Sequence, residues 1–234
     1  MSAVFKREFR AYFQSALGFV FIAVLYFFTG YYYFTYNLYG GTADFSRLFS
    51  MLFSIVLFMV PILTMRLMSE DKHAKTDQIL LTAPVSRGGI IWGKYLAALC
   101  VYLAATSSTL VVALITSFFT APDWPVFAGN VMGLTLLGSA LIAVCMFLSS
   151  LTESQVIAAL LGFAVSLFLF LMDALSNVFR DVFLKRAFYF LSFGNRYRPF
   201  TYGLLDLSNI VFFLSFAALF LFLSALMLEK RQWS

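Results

Sequence analysis

The spacing of the charges constrains this chain more than any other feature. No Asp, Glu, Lys or Arg occurs in residues 11–43, 48–65, 95–122, 124–152, 154–172 or 207–228, six windows of 18 to 33 residues. A helix needs about 20 residues to cross roughly 30 Å of hydrocarbon, so each window holds one crossing and none comfortably holds two. Composition agrees: 62% of the 234 residues are apolar and 12% charged, against about 45–50% and about 25% in soluble domains. Thirty Phe and twelve Tyr cannot be hidden in a soluble domain of this size without large exposed patches. A soluble enzyme, a disordered chain and a disulfide scaffold are excluded. Cys100 and Cys145 lie in apolar stretches, where a free cysteine behaves as a small hydrophobe.

Backbone groups in lipid must satisfy one another, and these runs are apolar all round rather than alternating, so helices are expected instead of a barrel. The last window, Leu207–Leu228, holds seven Leu and five Phe. At about −0.3 to −0.6 kcal/mol each, these favour insertion by several kcal/mol. The crossings are placed near Leu17–Tyr36, Leu48–Met65, Leu96–Phe119, Val131–Leu151, Val156–Met172 and Leu207–Leu228. Pro61 is expected to kink the second. The first window is too long for a signal-peptide core and reads as an uncleaved helix. Ala121-Pro122-Asp123-Trp124-Pro125 reads as a tight turn with an interfacial Trp. The fold class is thus an all-α integral membrane protein, a single domain over residues 1–234.

Six crossings put both termini on one side, together with the loops 66–95 and 150–155. That side carries ten Lys and Arg, and the other carries six: Arg47, Arg180, Lys185, Arg186, Arg196 and Arg198. The excess favours cytoplasmic termini. Residues 1–16 form an amphipathic segment. Phe5, Phe9, Tyr12, Phe13 and Ala16 recur at helical spacing, opposite Lys6, Arg7, Arg10 and Gln14, as in a helix lying in the membrane interface.

The loop 66–95 is too charged for lipid and too long for a hairpin. Ser69 is positioned to cap a helix opening with Glu70 and Asp71. Thr76 could cap a further turn that presents Ile79, Leu80 and Leu81, and Pro84 would end it. An apolar tip on a polar helix suits a protein partner better than water. In the fifth window Ala158, Gly162 and Ser166 recur every fourth residue. Small residues so spaced let helices approach closely, either within one chain or between two. The external loop 173–206 carries Phe179, Val182, Phe183 and Phe190 on a rough helical stripe beside Arg180, Lys185 and Arg186. Arg196 and Arg198 could meet an anionic substrate or an extracytoplasmic protein, or could simply be solvated among headgroups.

The run Lys75-Thr76-Asp77-Gln78-Ile79-Leu80-Leu81-Thr82-Ala83-Pro84-Val85-Ser86, followed by Gly93-Lys94, resembles the cytoplasmic loop of permease subunits of type-2 ABC transporters. Lys75 stands where that family usually has Gly, and Gln78 where Glu is frequent. The likeness extends to the Phe5–Gln14 segment, the turn Ser149–Gln155, Gly203–Asp206 and the basic ending Lys230–Trp233. It is nearest to the permeases associated with bacterial gliding motility. The resemblance implies an elbow helix at the N-terminus and a coupling helix in 66–95, with Glu70, Thr76, Gln78, Ile79, Leu80, Leu81 and Pro84 engaging an ABC ATPase in two copies. It also implies short re-entrant helices in 173–206 and a pore shared with a second permease, as a homodimer or heterodimer, with Ala158, Gly162 and Ser166 near the interface. The setting would be the lipid bilayer of a bacterial inner membrane.

This sequence has no Gly-x-x-x-x-Gly-Lys-Ser/Thr loop to cradle phosphates. ATP and Mg are therefore expected on the partner ATPase and no cofactor on this chain, which would not be an enzyme. The one histidine, His73, lies in a charged loop without companions for a metal site. No crossing holds a histidine base for intramembrane proteolysis, and none holds a mid-membrane ionisable group of the kind ion-coupled carriers use. The net charge of +5 follows from the topology and calls for no nucleic acid. The expected function is ATP-driven export along a permease interface. The alternative is a mechanotransmission or anchoring module that relays ATPase motion to an extracytoplasmic partner without transport.

Overall fold

A computed structural model describes residues 2–74, 87–178 and 188–230. Among the described residues the regular elements are all helical. In chain order they are α1 (Ser2–Gln14), α2 (Ala16–Tyr32, widening into a π-helix over Tyr33–Leu38), α3 (Ser46–Thr64), α4 (Arg66–His73), α5 (Arg87–Thr106), α6 (Ser108–Ser117), α7 (Trp124–Leu151), α8 (Gln155–Val178), α9 (Phe193–Thr201) and α10 (Leu207–Lys230). Six stretches are long and apolar enough to cross a membrane: Ala16–Leu38, Ser46–His73, Gly88–Ser117, Trp124–Leu151, Gln155–Met172 and Leu207–Glu229. Each contains or closely overlaps one expected crossing, and the protein is a multi-pass membrane protein.

The bundle is built around α7, the most enclosed of the six crossings, while α2, α8 and α10 turn most of their surface outward. Glycines on α7 make this enclosure possible. The Tyr102 ring of α5 lies against Gly138, where a Cβ would come within 2.2 Å of it, and its hydroxyl donates to Leu134 O at 2.7 Å. The Phe200 ring lies against Gly133 in the same manner. The start of α7 follows from local sequence: Asp123 accepts from Val126 N and Pro125 occupies the first turn, a position where the missing N–H costs nothing.

The short helix α9 is seated at the opposite end of the bundle from α1. Phe193, Tyr197 and Phe200 are buried, and Tyr197 donates to Phe49 O at 3.1 Å. Gly203, at φ +74, turns the chain back where a Cβ would meet Val126. This is the described part of the expected external helical segment. Phe179, Arg180, Val182, Phe183, Lys185 and Arg186 lie outside the described residues.

Three local features differ from the sequence expectations. The helix of the fourth crossing starts at Trp124, inside the expected turn, and not near Val131. The third crossing breaks at Ser107. Thr106, Ser107, Ser108 and Thr109 each donate a side-chain hydroxyl to the carbonyl three residues back, and such local bonds compete with the helical ladder. Ser107 and Ser108 also meet Tyr26 and Thr29 of α2. Ser69 does not cap a helix. The helix α4 starts earlier, at Arg66, and Ser69 lies buried inside it, donating back to Met65 O at 2.5 Å. The second crossing thus continues past a turn at Met65, four residues after Pro61.

Candidate functional site

At the end of the bundle that holds α1, four charges from three separate segments meet. They are Arg7 and Glu8 on α1, Asp71 on α4 and Lys94 on the first turns of α5. The Lys94 side chain is 2% exposed. Its ammonium lies 2.5 Å from Asp71 Oδ2 and 3.0 Å from Glu8 Oε1, and it donates to Leu67 O at 2.6 Å. Arg7 Nη2 closes the ring from the solvent side, 2.5 Å from Glu8 Oε1 and 3.2 Å from Asp71 Oδ2. Two cations and two carboxylates balance, and the ammonium's three protons have three acceptors. A buried charge is tolerable on those terms.

Local sequence places each member. On α1, Val4, Glu8 and Tyr12 recur every fourth residue and face inward. Val4 and Tyr12 are buried, and Gly93 lets Val4 approach α5 so closely that a Cβ there would lie 3.0 Å from it. Tyr12 donates to Leu63 O at 2.9 Å, and burial pushes its phenol pKa up. The aromatic stripe Phe5, Phe9 and Phe13 is only partly buried and stacks along the helix, with centroids 5.8 and 5.0 Å apart. The elbow segment therefore docks mainly by its Val4, Glu8 and Tyr12 face, with Phe5, Phe9 and Phe13 packed at the edge of the core.

The helix α4 is anchored from across the bundle. Its first-turn N–H groups at Met68 and Ser69 donate to Ser149 Oγ at 3.2 and 3.1 Å. Ser149 in turn donates to Met65 O at 2.9 Å. A hydroxyl from α7 thus does the work usually done by a local N-cap. Lys72 adds a hydrogen bond to Ser150 O. Glu70, expected to engage a partner, forms a two-pronged pair with Arg66 one turn back, at 2.6 and 2.9 Å.

The stretch between α4 and α5 carries the remaining expected coupling residues. Thr76, Gln78, Ile79, Leu80, Leu81 and Pro84 lie outside the described residues. What the structure defines is the pair of stems: α4, which prolongs the second crossing, and α5, which opens the third. In the sequence Lys94 stands out only as part of a Gly-Lys pair, and Glu8 not at all. A lysine bordering a charge-free window, and a lone carboxylate spaced between Val4 and Tyr12, are the signals that point to them.

The small-residue stripe on α8 faces inward. Ala158, Gly162 and Ser166 are buried within this chain, and a Cβ on Gly162 would come within 2.8 Å of the Pro61 ring carbon. Of the two uses the spacing allows, the structure shows packing against α3 of the same chain. Val156, Ile157 and Leu160 occupy the outward face instead.

At the far end, Arg196 is half-buried and tied to the start of α10. It donates to Ser208 Oγ at 3.1 Å and Asn209 Oδ1 at 3.0 Å, and its guanidinium lies over the Phe190 and Phe212 rings at 5.1 and 5.2 Å. Arg198 is exposed. A cleft of about 340 Å³ nearby is lined by Asp44, Asp123 and Tyr202 among others; the two carboxylates accept from the first turns of α3 and α7. Among the described residues no group of three or more His, Cys, Asp or Glu is placed to hold a metal.

Compared with known proteins, residues 5–228 match the family model described as ABC-2 family transporter protein. No curated protein matches the sequence.

Proposed function

The chain belongs to the ABC-2 transporter family, and we propose that it is the permease of an ATP-driven exporter, sharing a pore with a second permease. Members of this family work with an ABC ATPase. In our reading two copies of that ATPase bind ATP and Mg, and this chain converts their closure into movement of its crossings. The membrane is a bacterial inner membrane with both termini cytoplasmic, consistent with the excess of cations on that side. In our reading its sequence pattern resembles that of the gliding-motility permeases.

One observation carries the reading. The stems of the 75–86 segment are not independent loops but the ends of the second and third crossings, and α1, which leads into the first, is salt-linked to both. A protein that grips Ile79, Leu80 and Leu81 therefore has hold of three crossings at once. With Ala158, Gly162 and Ser166 turned inward, a second permease would meet an outward face of the bundle. Arg198, exposed on α9, offers a cation to an anionic substrate or an extracytoplasmic protein.

The test is co-purification. Deleting Thr76–Leu81 abolishes association with the ATPase while the permease remains in the membrane. Undiminished association overturns the assignment.

A further inference from the structure

We infer that Lys94 is the positioning residue of this permease's power transmission. By sharing one ammonium between Glu8 and Asp71, it makes α1, α4 and the start of α5 a single rigid body that carries motion of the 75–86 segment into the first crossing. The inference rests on the coupling reading above and goes further, because that reading needs only that the segment be gripped.

The geometry singles out Lys94. Asp71 precedes the segment and Lys94 follows it, yet the two meet at 2.5 Å, so the stems are tied at their base. Glu8, at 3.0 Å, brings in a helix remote in sequence. The carbonyl of Leu67 takes the third proton at 2.6 Å. Asp71 also touches all three segments, through Lys94 and Arg7, but its link to α1 runs through the outermost member of the ring. Arg7 reaches Glu8 and Asp71 but is itself half exposed and lies on the outer side of the ring. Electrostatic ties of this kind strengthen as water is excluded, and Lys94 is the most enclosed of the four. The chain from α1 into α2 is short, with one residue, Ser15, between them, so a displacement of α1 has little slack to absorb it.

A variant can cut this tie and keep the charge balance. Lys94→Met with Asp71→Asn removes one cation and one anion, leaving Arg7 paired with Glu8. Spin labels at Ala3 and Gly88, both exposed, report the distance across the body; a pair at Ala3 and Leu226 reports its movement against α10. Cys100 and Cys145 are replaced by Ala beforehand. The complex with its ATPase, reconstituted in nanodiscs, is measured nucleotide-free and with ATP hydrolysis trapped.

In the parent the Ala3–Gly88 distance is narrow and the same in both states, while Ala3–Leu226 shifts on trapping. In the double variant the Ala3–Gly88 distribution broadens and the Ala3–Leu226 shift is lost, although the ATPase still co-purifies. A variant that merely melts at lower temperature, with both distances as in the parent, makes Lys94 a stability residue and overturns the inference. So does a parent whose Ala3–Gly88 distance changes on trapping. If the double variant does not fold, Glu8→Gln alone, which leaves the Asp71 pair in place, must still broaden Ala3–Gly88. Failure of the parent to bind any ATPase is a separate result. It removes the coupling reading and the transmission role together, and the nucleotide-free Ala3–Gly88 width then reports on the rigid body alone.

Discussion

Lys94 and Asp71 flank the segment between α4 and α5 in sequence, and their charged groups lie 2.5 Å apart. Breaking an isolated buried pair costs about 3–5 kcal/mol, and here the remaining members of the ring offset part of that loss. Lys94→Met, which leaves Glu8 and Asp71 to share the half-exposed Arg7, should lower the melting temperature more than Asp71→Asn, after which Lys94 keeps Glu8 and Leu67 O. Arg7→Ala should do least, because that side chain is 45% exposed and exposed pairs contribute about 0–1 kcal/mol. The Lys94→Met/Asp71→Asn double variant should be more stable than Lys94→Met alone. Thermal unfolding in one detergent orders the series, and a Lys94→Met variant as stable as Arg7→Ala would show that the ammonium is not desolvated.

Ser149 supplies a cap from another helix. Ser149→Ala leaves the buried Met68 and Ser69 N–H groups and the Met65 carbonyl without that partner, a loss of about 1–3 kcal/mol. The effect is local: hydrogen exchange should accelerate at the amides of α4 while those at the centre of α7 keep their protection. Uniform acceleration across the bundle would contradict the capping role.

Much of this architecture is legible in sequence because membrane insertion is decided within each window. A run without charge forms a crossing whatever its neighbours do, but Asp123 and Pro125, read as part of a turn, in fact start α7 at Trp124 rather than at Val131. What could not be read depends on which faces meet. Glu8, Asp71 and Lys94 come together only after α1 docks on α5, and that docking turns on Gly93 opposite Val4. The break at Ser107 was local in origin, from four successive hydroxyl residues, yet a hydropathy window counts those residues as compatible with a crossing. The Ala158–Gly162–Ser166 stripe was visible, but its spacing carries no information on whether the opposing helix belongs to the same chain. The contacts of Arg196 are not legible in its own segment, because Asn209 and Phe212, which hold it, lie on the following helix.

Glycines in α2 and α7 should respond in opposite directions to the same substitution. Gly138→Ala forces a methyl group to within 2.2 Å of the Tyr102 ring, and overpacking of this kind costs about 1–3 kcal/mol. Gly30 has open space where its Cβ would be, so Gly30→Ala gains helix propensity, about 0.5–1 kcal/mol if the gain seen in soluble helices carries over. Paired melting curves decide the matter. A destabilised Gly30→Ala would mean that a helix of another subunit occupies that space.

The contact between Gly162 and Pro61 makes a prediction about assembly. Gly162→Leu inserts a branched side chain where even a Cβ would lie 2.8 Å from the proline ring, so α8 must move away from α3. The variant should lose stability as a single chain, by about 1–3 kcal/mol or more. If the stripe serves only the interior, whatever fraction of the protein still folds should retain the parent's oligomeric state, whereas Leu160→Trp on the outward face of α8 should leave the fold intact. Melting temperature and mass by light scattering, measured on both variants, separate the two roles. A Gly162→Leu protein with unchanged melting temperature but reduced mass would return the stripe to an interface between chains and remove the α3 packing as its reason for being small.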